Sequence, residues 1–285
     1  MGARVKIAGV QMEPRILETE RNLARCLELT EIASREGARL IVFPEVALSG
    51  YIFTSLDEAL PFAEPIPGPS TEAILSACRE LNVYVIIGLL EEEGGKYYNA
   101  AAFLGPQGLV SKYRKLHLPH LGIDRFVNHG DLPLTVHDTE VGRIGIGICY
   151  DQRFPEHARV LALQGADVIV IITNWPEGAE VSAEYMVRTR ANENNVFYVA
   201  VNRIGEERGV NFLGLSKIVH CNGDLLVEGG RCQEDILYAE IEPALARQKQ
   251  RQFVQGELGS HMFNNRRPEL YGVITQPLPD TPPIR

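Results

Sequence analysis

The 285-residue chain carries 28 Lys and Arg against 37 Asp and Glu, a formal net charge of −9, with 45% hydrophobic and 23% charged residues. This is the balance of an ordinary globular protein, long enough to bury a sizeable core. It argues against a nucleic-acid binder, which would show a basic patch, and Lys112-Tyr-Arg-Lys115 is too short to supply one. No apolar stretch approaches the ~18 residues of a membrane span, and the N-terminus enters a strand without a signal-peptide core. Five scattered cysteines, odd in number and without a Cys-x-x-Cys pair, suit a reducing cytoplasm rather than a disulfide framework.

Strand-like and helical runs alternate along the chain. Val5–Val10 reads as a strand, and Arg21–Arg35 as a helix ended by Gly37. Leu40–Phe43 is a short strand stopped by Pro44. Ser70 is the expected N-cap of a helix over Thr71–Leu81, followed by the strand Val83–Leu89. Tyr97–Leu104 and Leu109–Arg114 form a hairpin about Gly105-Pro-Gln-Gly108. Gly142–Ile148 is a strand, Pro155–Gln164 a helix, Asp167–Ile172 a strand and Ala183–Asn194 a helix. Val196–Val201 is a strand, and a hairpin pairs Leu215–His220 with Leu225–Val227 about Asn222-Gly223. Ile236–Ile241 is a last strand and Pro243–Gln250 a short helix. βαβ units mixed with hairpins predict an α/β fold with mixed sheets. With no linker or repeat, one domain over 1–285 is expected.

Chemistry gathers at strand ends. Gly145-Ile-Gly-Ile-Cys149-Tyr-Asp-Gln-Arg-Phe-Pro-Glu156 reads as a buried strand that stops at a cysteine and turns into a helix at Pro155. Corner N–H groups and the helix dipole would favour a Cys149 thiolate nucleophile. The alternative is a small hydrophobe ending a core strand. No histidine presents itself as the partner base. Glu45, just past the strand end in Phe43-Pro-Glu45, is either a base with a raised pKa or an acid opening a turn. Strand parity puts Lys112 and Arg114 on one face and Ser111, Tyr113 and Lys115 on the other, so Lys115 need not be solvated with its basic neighbours. Asn174 and Trp175 end another strand and either line a pocket or close a turn, and Tyr51 is similarly placed. His117 and His120 are three apart but lack acidic or cysteine company, so no metal or cofactor is expected.

Together, Phe43-Pro-Glu-Val-Ala-Leu-Ser-Gly-Tyr51, Tyr113-Arg-Lys-Leu-His-Leu-Pro119 and Gly147-Ile-Cys-Tyr-Asp-Gln-Arg-Phe-Pro-Glu156 resemble the nitrilase, or carbon–nitrogen hydrolase, superfamily. Thr173-Asn-Trp-Pro176 and Arg266-Arg-Pro-Glu-Leu-Tyr271 extend the resemblance to nearly the whole chain. It implies a four-layer α-β-β-α sandwich and a Glu45–Lys115–Cys149 triad, with the Tyr150 N–H and Lys115 holding an oxyanion. Asp124 stands where a second glutamate often follows the lysine, one methylene shorter. Tyr51, Asp124, Asn174 and Trp175 are the candidate substrate contacts. The Tyr-Asp-Gln-Arg-Phe-Pro-Glu run after Cys149 looks like the amidase and carbamoylase branches. The expected activity is hydrolysis of a small aliphatic or ω-amide through a cysteinyl thioester. Alternatives are an N-carbamoyl amine or amino acid amidohydrolase, and a catalytically idle binding protein. The resemblance also implies a homodimer or higher homo-oligomer, with the tail from about 253 to 285 at the subunit interface.

Overall fold

Two six-stranded mixed sheets organise the chain, described over residues 3–277 in a computed structural model. In chain order the elements are β1 (Val5–Gln11), α1 (Thr19–Arg35), β2 (Leu40–Val42), α2 (Leu56–Ala59), α3 (Pro69–Leu81), β3 (Tyr84–Glu93), β4 (Lys96–Gly105) and β5 (Gly108–Arg114). The second half begins with β6 (Val136–Thr139), β7 (Gly142–Ile148), α4 (Pro155–Leu163), β8 (Val168–Thr173), α5 (Val187–Asn194) and β9 (Phe197–Asn202). The short pair β10 (Glu206–Glu207) and β11 (Val210–Asn211), then β12 (Lys217–Val219), β13 (Leu225–Glu228) and β14 (Asp235–Ile241), follow. Contacts divide the chain into two compact units, one ending at Arg247 and one starting at Gln248. The second unit contains the antiparallel hairpin β15 (Gln250–Val254) and β16 (Leu258–His261). The expected interface tail begins inside that hairpin, and its residues 278–285 lie outside those described.

The first sheet runs β14-β1-β2-β3-β4-β5 and the second β13-β12-β9-β8-β7-β6. In each, three central strands are parallel and the flanking strands antiparallel. Alternation assigns the faces. Ala8 and Val10 of β1 pack with Leu29 and Ala33 of α1 and Ile74 and Leu75 of α3. Each such buried Leu or Ile contributes about 1.5–3 kcal/mol. The opposite face of β1 meets the second sheet: a Cβ built on Gly9 would lie 3.1 Å from Val201 of β9. On the far side of the second sheet, Gly145 and Gly147 let α4 approach. A Cβ on Gly147 would stand 2.4 Å from the His157 ring, and one on Gly145 3.0 Å from Leu161. The layers are therefore helix, sheet, sheet, helix, the four-layer sandwich.

Three local expectations change. The N-cap of α3 is Gly68, not Ser70, because Pro69 takes the first helical position, where its missing N–H is no loss. The Glu64 carboxylate accepts the Ser70 N–H at 2.7 Å, and the Thr71 hydroxyl accepts the Gly68 N–H at 2.7 Å. The helix expected over Pro243–Gln250 is a 3₁₀ turn ending at Arg247, after which Gln250 enters β15. A π turn over Ser182–Met186 precedes α5. No helix among the described residues is long and apolar enough to cross a membrane.

Candidate active site

The carboxyl ends of β2, β5, β7 and β8 converge where the sheets face each other, and each is followed within three residues by one polar residue of the cluster: Glu45, Lys115, Cys149 and Asn174. After β2, Pro44-Glu45-Val46 turns against β3, with the Gly88 N–H donating to the Pro44 carbonyl at 3.2 Å. Only a glycine fits there, since a Cβ on residue 88 would lie 2.3 Å from the Val46 nitrogen. After β5, the Lys115 N–H donates to the Asn99 carbonyl of β4 at 2.9 Å, and the Gly130 N–H donates to the Lys115 carbonyl at 2.8 Å. After β7, Cys149 adopts φ +46°, a left-handed corner that a residue with a Cβ takes only when its surroundings hold it. Residues 149–153 then form a 3₁₀ turn into α4.

Glu45 and Lys115 are 0% and 1% exposed, and Cys149 is 8% exposed. The Lys115 Nζ donates to Glu45 Oε1 at 2.6 Å and to Asp124 Oδ2 at 2.5 Å. Asn99 Nδ2 donates to the same two carboxylates, at 2.7 Å to Glu45 Oε1 and 2.9 Å to Asp124 Oδ1. The Tyr51 hydroxyl donates to Asp124 Oδ2 at 2.7 Å, and the Tyr51 ring lies 5.8 Å from the ammonium. Asn174 Nδ2 donates to the Glu45 main-chain carbonyl at 3.0 Å. Glu45 Oε2 is buried with no hydrogen-bond partner. One carboxylate oxygen is thus pinned and the other is left free to accept a proton.

The charges reinforce this division. Burial pushes the Glu45 carboxyl up, Lys115 opposes, and Asp124 pushes it further up, for a net rise. Burial works against the Lys115 charge, but Asp124 and Glu45 overcome it and hold the ammonium firmly protonated. Burial, then the negative charge of Glu45, pushes the Cys149 thiol well up, with Lys115 opposing. At rest the sulfur therefore carries its proton, in place of the thiolate that corner N–H groups alone would favour. A free carboxylate oxygen of raised basicity beside a protonated thiol and a fixed cation can move a proton from sulfur as a bond forms.

Tyr51, Asp124 and Asn174 thus join the cluster by hydrogen bonds. The Trp175 N–H instead donates to Asn202 Oδ1 at 2.8 Å and its carbonyl accepts the Leu213 N–H at 3.0 Å, which fixes the turn after β8. Tyr150 is 36% exposed, with its ring edge-on to Phe154 at 5.4 Å. Sequence reasoning missed Asn99, whose signal is a lone amide in the apolar run Tyr98-Asn-Ala-Ala-Ala102. It also missed Glu207, whose Oε1 accepts the Tyr51 N–H at 2.7 Å from a distant loop. Among the described residues, no group of three His, Cys, Asp or Glu side chains is placed to hold a metal ion.

Comparison with known proteins agrees in fold. The profile of the carbon-nitrogen hydrolase family matches residues 6–251. A nitrilase of Pyrococcus abyssi is 38% identical over 271 residues, covering 94% of this chain and 99% of that protein. A formamidase of Bacillus cereus strain Q1 is 35% identical over 222 residues, 76% of this chain and 65% of the formamidase. Among solved structures, a Glu-to-Gln mutant of the Nesterenkonia sp. AN1 amidase superposes with a TM-score of 0.78 at 23% identity, covering 95% of this chain and 96% of that one. Its active-site cysteine carries the acetamide moiety of fluoroacetamide. A buried carboxylate, ammonium and thiol at strand ends, in a four-layer sandwich matched over most of its length, place this chain in the carbon–nitrogen hydrolase family of the nitrilase superfamily, enzymes that cleave non-peptide C–N bonds.

Proposed function

We propose that the protein is an amidase that hydrolyses a small aliphatic or ω-amide to carboxylic acid and ammonia through a Cys149 thioester. The observation that carries this reading is the unpartnered Oε2 of Glu45, buried in the same cluster as the Lys115 ammonium and Cys149. The Cys149 sulfur attacks the amide carbon while its proton passes to Glu45. Lys115 and the Tyr150 N–H hold the oxyanion, a kind of contact whose loss costs ~10²–10³ in rate. As the C–N bond breaks, Glu45 returns the proton to nitrogen and ammonia departs. Water, deprotonated by Glu45, attacks the thioester carbon. Collapse of the second oxyanion frees the acid, and the proton goes back to sulfur.

A small acyl group fits a nucleophile this enclosed, and the formamidase relative and the acetamide adduct of the Nesterenkonia amidase support the same size class. The test is ammonia release from formamide, acetamide, propionamide and ω-amides by purified protein. Wild type should release ammonia and Cys149→Ala should not. In Glu45→Gln, fluoroacetamide should leave an acetamide adduct on Cys149, read by peptide mass spectrometry. Turnover retained in the alanine variant would remove the nucleophile assignment. Carbon dioxide evolved with ammonia from N-carbamoyl compounds, with the simple amides inert, would move the protein to the carbamoylase reading.

A further inference from the structure

Asp151 lies two residues past Cys149, is completely buried, and has no part in the proton transfers above. Its two oxygens engage four donors. Oδ2 accepts the Ile148 N–H at 2.9 Å and the Tyr113 hydroxyl at 2.7 Å. Oδ1 accepts the His117 N–H at 3.1 Å and faces His117 Nδ1 at 2.7 Å, where the Nδ1–H tautomer donates. Ile148 immediately precedes the nucleophile, whereas Tyr113 and His117 stand two residues to either side of Lys115. One carboxylate therefore ties the Cys149 corner to both flanks of the lysine.

The clamp is rigid on both arms. The His117 ring stacks on Phe154 at 3.7 Å between centroids, with 12° between planes. Tyr113 packs edge-on to the buried His157 ring at 5.9 Å, and its hydroxyl lies 3.4 Å from His157 Nε2. His157 is in turn wedged against Gly147, where no side chain would fit. Burial alone would raise the Asp151 carboxyl, but the bond from His117 and those from Ile148 and Tyr113 hold it below the ordinary carboxylate value. It is an ionised, acceptor-only group, as four donors require. Cys149, which lies inside the span it closes, has left-handed backbone, with φ +46°.

We propose that Asp151 is a positioning residue: it locks the Cys149 sulfur in register with the Lys115 ammonium, and His117 and Tyr113 are the donors that hold it. The proposal rests on Cys149 and Lys115 acting as the reacting pair. Loosening the clamp misplaces sulfur against ammonium, which slows bond formation without weakening substrate binding.

His117→Phe keeps a ring to stack on Phe154 but loses the Nδ1–H, His117→Asn restores an N–H near that point, and Tyr113→Phe removes only the hydroxyl. Each is assayed for kcat and KM on acetamide, and for the rate of Cys149 alkylation by iodoacetamide. His117→Phe and Tyr113→Phe should each lose roughly tenfold in kcat and in alkylation rate, with KM changed by less than about twofold. His117→Asn should recover most of both. Wild-type kcat and alkylation rates in the two Phe variants would overturn the clamp, as would a loss in His117→Phe that His117→Asn does not repair. If wild type turns over no amide, the amidase reading fails, and the alkylation rates still decide the clamp by themselves.

Discussion

Asp124 reaches the centre of the cluster even though its side chain is short. One methylene less than a glutamate, it reaches the Lys115 Nζ and is braced by Asn99 and the Tyr51 hydroxyl. Its charge is also one of the influences that raise the Glu45 carboxyl, after burial. The sign of the pH dependence follows. Glu45 works as a base only when ionised, so kcat/KM falls as pH drops through its raised pKa, above the ordinary range of a glutamate. Asp124→Asn removes a neighbouring negative charge and frees Lys115 to favour the Glu45 anion, so the acid limb should move to lower pH. A pH–rate profile of kcat/KM in the two proteins measures this, and an unmoved limb would mean that the titrating group does not sense Asp124. Lys115→Ala should lower kcat by ~10²–10³ through loss of the oxyanion donor. Glu45, Lys115 and Cys149 were legible through their three motifs taken together, since each residue near its strand end left a structural alternative open on its own. Asn99 was not, because its two carboxylate partners come from separate segments that only the fold brings to β4.

The strands do more than display these groups, since their glycines set how closely neighbouring segments pass. In β3, Gly88 has the Val46 nitrogen and the Pro44 carbonyl oxygen at 2.3 and 2.6 Å from where a Cβ would sit. Both are backbone atoms of the turn that carries Glu45, so the clash cannot be relieved by a rotamer change. Gly88→Ala should cost about 1–3 kcal/mol of stability by overpacking. It should also cost on the order of a hundredfold in kcat, because the turn moves by something approaching an ångström. Thermal unfolding and steady-state kinetics on the same preparation separate the two effects. The Gly145-Ile-Gly147 run has a related origin: it admits α4 against β7. Hydrophobic periodicity made most elements readable. It could not locate the α3 cap, where Pro69 and a carboxylate from Glu64 displaced the local serine, nor the end of the segment after Pro243.

Across the first unit, the two sheets are stapled near their active ends by a buried ion pair. Arg203, just after β9 of the second sheet, donates to Glu207 and to the Pro14 carbonyl just after β1 of the first, the latter at 2.9 Å. Glu207 then accepts the N–H groups of Tyr51 and Ile52. Both side chains are nearly fully buried, so Glu207→Ala strands a guanidinium in the interior and should cost about 3–5 kcal/mol in urea unfolding. Replacing the pair together, Arg203→Met with Glu207→Leu, should regain most of that stability. Both variants should share a lowered kcat, because the Tyr51 main chain is left unheld in each. The two charges lie only four residues apart, but their other partners, the Pro14 carbonyl and the main chain of Tyr51 and Ile52, are remote in sequence, which is why the staple left no mark in the local pattern. The charge count at the centre of the same unit has a last consequence. Glu45 and Asp124 share the single ammonium of Lys115, so the ionised cluster carries an excess of one negative charge shielded from water. A neutral amide can enter such an enclosure freely, but the acid formed from it ionises and meets like charge. Entry and exit are thereby unequal: the carboxylate product should bind more weakly than the neutral amide and inhibit little, while the equilibrium of hydrolysis stays that of the free reactants.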